Sequence, residues 1–170
     1  RIAGECLDYD PLEYIERKRL REQARFIHLA LGAAQQAVDS SGLLTDICDE
    51  DRERVATIVG VGMCGLEVIE RNYRQLMNRG PRRISPYFVP ATIANLGPGQ
   101  ISMRFGLRGP NFATASACAS GAHAIGEAYH GILRGAIDAA VVGGAEACVT
   151  PLGVGGFCSM RALSTRNDEP

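Results

Sequence analysis

The stretch "FATASACASGAHAIGEAYHGILRGA", residues 112–136, begins as a run of small and apolar residues and continues as a segment rich in alanine and glycine. The run "NFATASA" predicts a strand, and the segment from Ala119 to about Arg134 predicts a helix that packs closely. Cys118 lies where the strand gives way to the helix. A helix start offers unpaired N–H groups and a positive dipole end, which favour a thiolate and a developing oxyanion. Cys118 is therefore the candidate nucleophile.

The other five cysteines lack this setting, and a free cysteine is most often a small buried hydrophobic residue. A domain of 170 residues does not depend on disulfides, and the chain has no CxxC spacing. We therefore expect free thiols and no metal site. The cysteines in question are Cys6, Cys48, Cys64, Cys148 and Cys158.

Hydrophobic periodicity outside the opening stretch alternates between helix and strand. Apolar residues spaced by four and three predict a helix from Leu20 that ends at Gly42. The run "RVATIVGVG" (54–62) predicts a strand buried on both faces, and "GLEVIERNYRQLMNRG" (65–80) predicts a helix. The segment "PRRISPYFVP" predicts a loop, "ATIANLGPGQISMRFG" a helix interrupted at Gly97-Pro98, and "DAAVVGGAEA" a fully buried strand. This alternation predicts an α/β layered domain.

Composition excludes several classes of partner. A formal net charge of −1 gives no electrostatic reason to expect nucleic acid or an anionic membrane surface. No apolar run reaches the roughly 18 to 20 residues of a membrane span, and the first residues lack a signal-peptide layout. We expect a cytoplasmic protein, with an organelle lumen left open. The missing initial Met and the polar ending "STRNDEP" predict a piece of a larger protein.

Two patterns suggest other chemistry. Gly60, Gly62 and Gly65 spell the dinucleotide fingerprint G-x-G-x-x-G, but the acidic ribose ligand about 20 residues further on is missing. We favour a close-packing role for these glycines, and a nucleotide-binding oxidoreductase remains an alternative.

On one helix, His123 lies about 140° around the axis from Cys118 and His130 about 18 Å along it, so a Cys-His dyad is disfavoured.

The motifs "ATASACASGAHAIGEA" and "DAAVVGGAEACVTPLGVGGFCSMRALSTRNDEP" resemble the β-ketoacyl-acyl-carrier-protein synthases, in particular the type II elongating condensing enzymes. "GVGMCGL", "NRGPRRISPYFVP" and "GLRGPNFA" extend the resemblance over almost the whole chain. It implies a thiolase-like layered αβαβα architecture made of two similar halves. Residues 1–170 then form the N-terminal ketosynthase half-domain, the first half only, lacking the first strand and the C-terminal half.

The resemblance implies an acyltransferase that needs no cofactor and no metal. Its reaction is a decarboxylating Claisen condensation, in which an acyl group on Cys118 is extended by two carbons from malonyl-carrier protein. The family's two histidines, assisting lysine and gating phenylalanine have no counterpart here, so the fragment alone is predicted to be inactive. The implied partners are acyl carrier protein, acyl and malonyl thioesters, and a second copy in a homodimer of the full-length protein.

Further residues carry over from the family motifs. The acyl-chain site implied by the resemblance contains Met63, Phe88, Gly153 and Phe157, for which core packing is the other interpretation. The implied docking surface for the carrier protein contains Lys18, Arg21, Arg82, Arg83 and Arg161, each of which can also be an ordinary surface charge. Glu22 departs from the pattern, because some relatives carry a base there.

Alternatives within the same fold are a ketosynthase subunit of a type II polyketide pathway and a biosynthetic thiolase. The motifs "PLGVGGF" and "STRND" disfavour the thiolase. A non-catalytic subunit that shapes chain length characteristically lacks the nucleophile, so Cys118 argues against that assignment.

Overall fold

The computed structural model describes residues 3–169, where a parallel sheet is packed between helices on its two faces. The strands are β1 (Val55–Gly60), β2 (Asn111–Thr114) and β3 (Ala139–Gly144), in the order β2-β1-β3. The helices are α1 (Arg25–Ser41), α2 (Leu66–Arg79), α3 (Phe88–Thr92), α4 (Leu96–Phe105), α5 (Ser120–Leu133) and α6 (Pro151–Ser159). This arrangement confirms the predicted α/β layers.

The ends of the predicted half-domain, Arg1, Ile2 and Pro170, lie outside the described residues. Within residues 3–169, no helix is both long enough and apolar enough to cross a membrane.

Strand β1 forms the centre of the sheet, and all six of its residues are buried, as predicted. Val55 and Val59 point to the face covered by α1 and α4, where they join a core that contains Phe26 and Ile101. Ala56 and Ile58 alternate to the opposite face, where they pack against Ala124 and Ala128 of α5. The central strand therefore ties both helical layers to one sheet.

Helix α1 begins at Arg25, somewhat later than the predicted Leu20, and ends at Gly42. Gly42 has φ 66°, the left-handed conformation that commonly ends a helix and that glycine adopts without strain. The predicted stripe of Ala24, Ile27, Leu31, Ala34 and Val38 is buried. The prediction of this helix is confirmed apart from its first turn.

The predicted helix break at Gly97-Pro98 is wrong. The chain leaves the helical conformation at residues 93–95, between α3 and α4, and Gly97 and Pro98 lie buried in the first turn of α4. Proline is tolerated there because the first N–H groups of a helix have no intrahelical acceptor. The predicted loop 81–90 is also partly helical, with a 3-10 helix at Pro81–Arg83 and the start of α3 at Phe88.

Strand β3 is not fully buried as predicted. Among the described residues it pairs with β1 alone, so it lies at an edge of this sheet, and Val142 is 37% exposed. Strand β2 is also shorter than the predicted run, since it ends at Thr114.

In α2, the apolar residues Tyr73 and Met77 are exposed, and the buried positions are Leu66, Val68 and Asn72. A continuous hydrophobic run is fully buried only where other strands or helices pack against it on both sides.

A buried histidine in α1 makes stability depend on pH. Burial, together with the nearby Arg25 charge, lowers the pKa of His28 from 6.5 to about 4. The folded state therefore keeps His28 neutral at pH values where the unfolded chain binds a proton, so stability falls as the pH drops from 6.5 towards 4. This histidine should remove about 2 kcal/mol of unfolding free energy between about pH 7 and pH 5.

Denaturant unfolding of the full-length protein at the two pH values checks this expectation. The variant His28→Gln should lose about 2 kcal/mol less than the wild type over that interval. The control His130→Gln, which changes an exposed histidine on α5, should follow the wild type. Equal losses in all three proteins would contradict the assigned role of His28.

Candidate functional site

Cys118 lies in the turn that joins β2 to α5. The strand ends at Thr114, Ala119 is the N-cap, and the first helical residue is Ser120. Cys118 therefore lies directly before the N-cap residue. The helix begins at Ser120, one residue later than the predicted start at Ala119. The Cys118 side chain is exposed in the part of the protein that the structure describes.

The turn is held in a conformation that L-residues rarely adopt. Ala117, directly before Cys118, has φ 50°. The buried Ser120 hydroxyl donates to the Ala117 carbonyl at 2.7 Å and accepts from the Ser116 N–H at 2.8 Å. The Thr114 hydroxyl donates to the Ser120 carbonyl at 2.8 Å. Such a conformation costs about 1 to 3 kcal/mol and persists only where its surroundings fix it, which these bonds do.

Gly60, the last residue of β1, allows α5 to start directly on the sheet. A Cβ at this position would lie 2.2 Å from the Ser120 carbonyl carbon and 2.4 Å from the Gly121 nitrogen. Only glycine permits this approach, and the contact fixes where the Cys118 turn sits relative to β1.

The other glycines of the fingerprint also serve close packing. Gly65 has φ 59°, and a Cβ there would lie 2.5 Å from the Ala91 carbonyl oxygen in α3. The N–H groups of Gly62 and Met63 are bound by the Glu146 carboxylate, so they are not free to hold a pyrophosphate. These contacts favour the packing interpretation over a nucleotide site.

Glu146 was not predicted from the sequence. It lies just after β3, and the loops after β1, β2 and β3 leave the sheet at the same edge because the strands are parallel. Its Oε2 accepts hydrogen bonds from the N–H groups of Gly62 at 3.1 Å and Met63 at 2.6 Å. An acidic residue two positions after the apolar run of β3 was the available signal.

The four predicted acyl-chain residues lie on three segments, which are the loop before α2, the helix α3 and the helix α6. Met63, which is 39% exposed, precedes α2 by three residues, and Phe88 at the start of α3 is half-buried against the core. Gly153 of α6 contacts Leu66, since a Cβ there would lie 3.1 Å from Leu66 Cδ2. Phe157 is half-buried on α6.

Glu70 connects α2 to the start of α6 and was also missed. Its Oε1 accepts a hydrogen bond from the Leu152 N–H at 2.9 Å. A hydrogen bond from the Thr150 side chain is the main cause that lowers the pKa of Glu70. Thr150 in turn caps α6 by accepting from the Gly153 N–H at 3.1 Å. The segment with Gly153 and Phe157 is thereby fastened to α2.

Only some of the predicted docking residues lie in the same cleft. Lys18 and Arg21 line one open cleft with Arg71 and the segment 85–87, and Glu22 lies in the same cleft. Lys18 is paired with Glu16 at 2.8 Å. Arg82 and Arg83 are exposed on the 3-10 helix just before that segment, whereas Arg161 follows α6 with φ 59° and does not line the cleft.

Two further thiols, Cys64 and Cys148, are partly buried, whereas Cys118 is exposed. Burial, with a contribution from Glu146, raises the pKa of both Cys64 and Cys148, so both favour the protonated form. His123 is exposed, and its Nδ1 lies 2.6 Å from the Ser116 hydroxyl, a contact that the helical-wheel argument missed. His130 is exposed and lies edge-on to Tyr129.

Comparison with known proteins places this geometry in a family. The chain is 46% identical over 170 residues to the 3-oxoacyl-[acyl-carrier-protein] synthase 2 of Vibrio harveyi, an alignment that covers 100% of this chain and 40% of that protein. The chain thus spans about two fifths of the curated relatives it matches.

Solved structures show the same fold. A β-ketoacyl synthase from Burkholderia phymatum superposes with a TM-score of 0.80 at 29% identity, covering 95% of this chain and 39% of the other. A type II polyketide ketosynthase, solved with its acyl-carrier protein, gives a TM-score of 0.81 at 23% identity, covering 92% of this chain and 45% of the other. The predicted thiolase-like architecture is confirmed by these neighbours.

The family model described as "Beta-ketoacyl synthase, N-terminal domain" matches residues 8–170. Together with the strand, turn and helix that present Cys118, this match shows that the chain belongs to the β-ketoacyl synthase family.

Proposed function

We propose that the full-length protein is an acyltransferase that extends a fatty acyl chain by two carbons, with Cys118 as the acylated residue. The observation that carries the proposal is the exposed Cys118 in a strained, hydrogen-bonded turn at the start of α5. Relatives at 46%, 43% and 45% identity share the name 3-oxoacyl-[acyl-carrier-protein] synthase 2, which supports fatty acid elongation as the reaction.

In the first step, the Cys118 thiolate attacks the carbonyl carbon of an acyl thioester on the carrier protein. A new carbon–sulfur bond forms to Cys118, the carbon–sulfur bond to the carrier protein breaks, the carrier-protein sulfur leaves as a thiolate, and an acyl-enzyme results. Charge develops on the carbonyl oxygen during this attack. The Cys118 N–H is one arm of the oxyanion hole that we propose, because it adjoins the positive end of α5.

In the second step, malonyl-carrier protein loses its carboxyl group as carbon dioxide. The electron pair of the broken carbon–carbon bond attacks the acyl carbon on Cys118, and the cysteine thiolate leaves. The product is a β-ketoacyl thioester two carbons longer than the acyl group. The resemblance assigns polarisation of the malonyl thioester to two histidines that have no counterpart among these residues.

Met63, Phe88, Gly153 and Phe157 are proposed to line the acyl-chain site. The contacts that α3 and α6 both make with α2 support this assignment, although Phe88 also packs against the core.

The basic residues Lys18, Arg21, Arg82, Arg83 and Arg161 are proposed to dock an acidic carrier protein, mainly by steering its approach. The cleft shared by Lys18 and Arg21 supports two of these five assignments. A homodimer of the full-length protein and a cytoplasmic location complete the proposal.

A ketosynthase subunit of a type II polyketide pathway remains the second candidate. It is less favoured because the polyketide ketosynthase reported above is only 23% identical and supports the fold alone.

The experiment that tests the function compares the full-length protein with residues 1–170 produced alone. Incubated with acyl-carrier protein and malonyl-carrier protein, the full-length protein should release carbon dioxide and a β-ketoacyl product two carbons longer, detected by mass spectrometry. The 170 residues alone should form no such product, since the malonyl-polarising groups are absent. Product from the isolated residues, or none from the full-length protein, would contradict the proposal.

A further inference from the structure

Glu146 contacts the backbone of a loop that belongs to a different strand. Oε2 accepts hydrogen bonds from the Gly62 and Met63 N–H groups at 3.1 and 2.6 Å, and Oε1 accepts one from the Ala147 N–H at 3.2 Å. Bonds to a charged acceptor are among the stronger ones in proteins. One carboxylate therefore fastens the loop after β1 to the loop after β3.

Gly62 lies between this carboxylate and the turn that carries Cys118. A Cβ at Gly62 would lie 3.0 Å from Glu146 Oε2 and 3.4 Å from the Ala117 carbonyl oxygen. Backbone bonds join the same loops, because the Val61 N–H donates to the Thr114 carbonyl and the Ala145 N–H to the Gly60 carbonyl, each at 3.0 Å. Gly62, whose N–H is bound by Glu146, therefore lies directly beside Ala117, the residue before Cys118.

The Met63 side chain does not fix its own position. Among the described residues it is 39% exposed, and a thioether side chain is flexible. The backbone of Met63 is held by two N–H bonds, its own and that of Gly62, to Glu146. A loop released from Glu146 would let the Met63 backbone move relative to the turn that carries Cys118.

We propose that Glu146 is a positioning residue that sets the separation between Met63 and Cys118, and thereby the length of acyl chain that the site accepts. The inference rests on the proposed function, because it takes an acyl group on Cys118 to extend past Met63. Glu146 touches no reacting atom in this arrangement. Long chains, which must pass the loop, depend on its position more than short chains do.

The test uses the full-length protein and three variants. Glu146→Ala removes the acceptor of the hydrogen bonds from the Gly62 and Met63 N–H groups. Glu146→Gln keeps one side-chain oxygen that can accept these two bonds. Glu53→Ala is the matched control, since Glu53 is an exposed glutamate beside the opposite end of β1. The rate of acylation is measured for each protein with butyryl-carrier protein and with dodecanoyl-carrier protein. In separate samples, the rate at which iodoacetamide alkylates the Cys118 sulfur is measured.

We expect Glu146→Ala to lower kcat/KM for dodecanoyl transfer by about tenfold or more, with a much smaller change for butyryl transfer. Alkylation of Cys118 should be unchanged, and Glu146→Gln should recover most of the long-chain activity. Hydrogen exchange of the peptide that covers residues 61–65 should be faster in Glu146→Ala only. Glu53→Ala should match the wild type in every measurement.

Unchanged exchange, or an unchanged ratio of long- to short-chain transfer in Glu146→Ala, would overturn the inference. Equal loss of both transfers together with slower alkylation would also overturn it, because it would indicate general damage to the fold. A wild-type protein that neither thioester acylates would contradict the proposed function, and the chain-length role with it. Hydrogen exchange would in that case still decide whether Glu146 holds the loop.

Discussion

Replacement of Cys118 by alanine is expected to abolish formation of the β-ketoacyl product by the full-length protein. Without the sulfur there is no nucleophile to take the acyl group from the carrier protein, so both stages of the reaction are lost. Loss of a covalent nucleophile typically removes several orders of magnitude in rate. The measurement is the rate of product release, followed by mass spectrometry with acyl- and malonyl-carrier protein.

Cys48→Ala is the matched control for this substitution. Cys48 is also exposed, but it precedes β1 and lies at the edge of the sheet opposite the Cys118 turn. This variant should turn over as the wild type does. Turnover that persists in Cys118→Ala would show that another residue carries the acyl group.

Replacement of Gly60 by alanine is expected to have the largest structural effect. The added methyl group would lie 2.2 Å from the Ser120 backbone, a distance that neither backbone segment can relieve by a side-chain rotation. Strand β1 and helix α5 must therefore move apart, which should cost about 3 kcal/mol or more of unfolding free energy. The Cys118 turn is attached to the first residue of α5, so iodoacetamide should alkylate its sulfur at a changed rate.

Gly143→Ala provides the control in the adjacent strand. Gly143 pairs with Val59, next to Gly60, but a Cβ there would meet no atom within 4 Å. Its unfolding free energy and alkylation rate should stay close to those of the wild type. If Gly60→Ala and Gly143→Ala have the same unfolding free energy, then α5 does not pack directly against Gly60.

The parts of the fold that follow from hydrophobic periodicity were predictable. Helix α1 has a clear apolar stripe and a glycine at its end, and β1 is a β-branched run with neighbours on both sides. The location of Cys118 between β2 and α5 was also predictable from the small residues before it and the alanine-rich segment after it, although β2 ends at Thr114, earlier than predicted. Each of these features depends on residues that are close in the sequence.

Features that depend on distant residues were missed. Nothing about alanine signals a positive φ, so the conformation of Ala117 could not be predicted without Ser120 and Thr114 in place. Glu146 acts 83 residues away from Met63, and β3 reads as a buried run although it lies at an edge. The sequence predicts a helix break at Pro98, but Pro98 lies in the first turn of α4, where proline is accommodated.

The measurement that tests the central claim most directly is the location of the acyl group. The full-length protein is incubated with acyl-carrier protein alone, digested, and sequenced by tandem mass spectrometry so that each of the six cysteines in residues 1–170 is resolved. Our account predicts an acyl mass on the peptide that contains Cys118 and on none of the others. An acyl group on Cys64 or Cys148, with Cys118 unmodified, would contradict it.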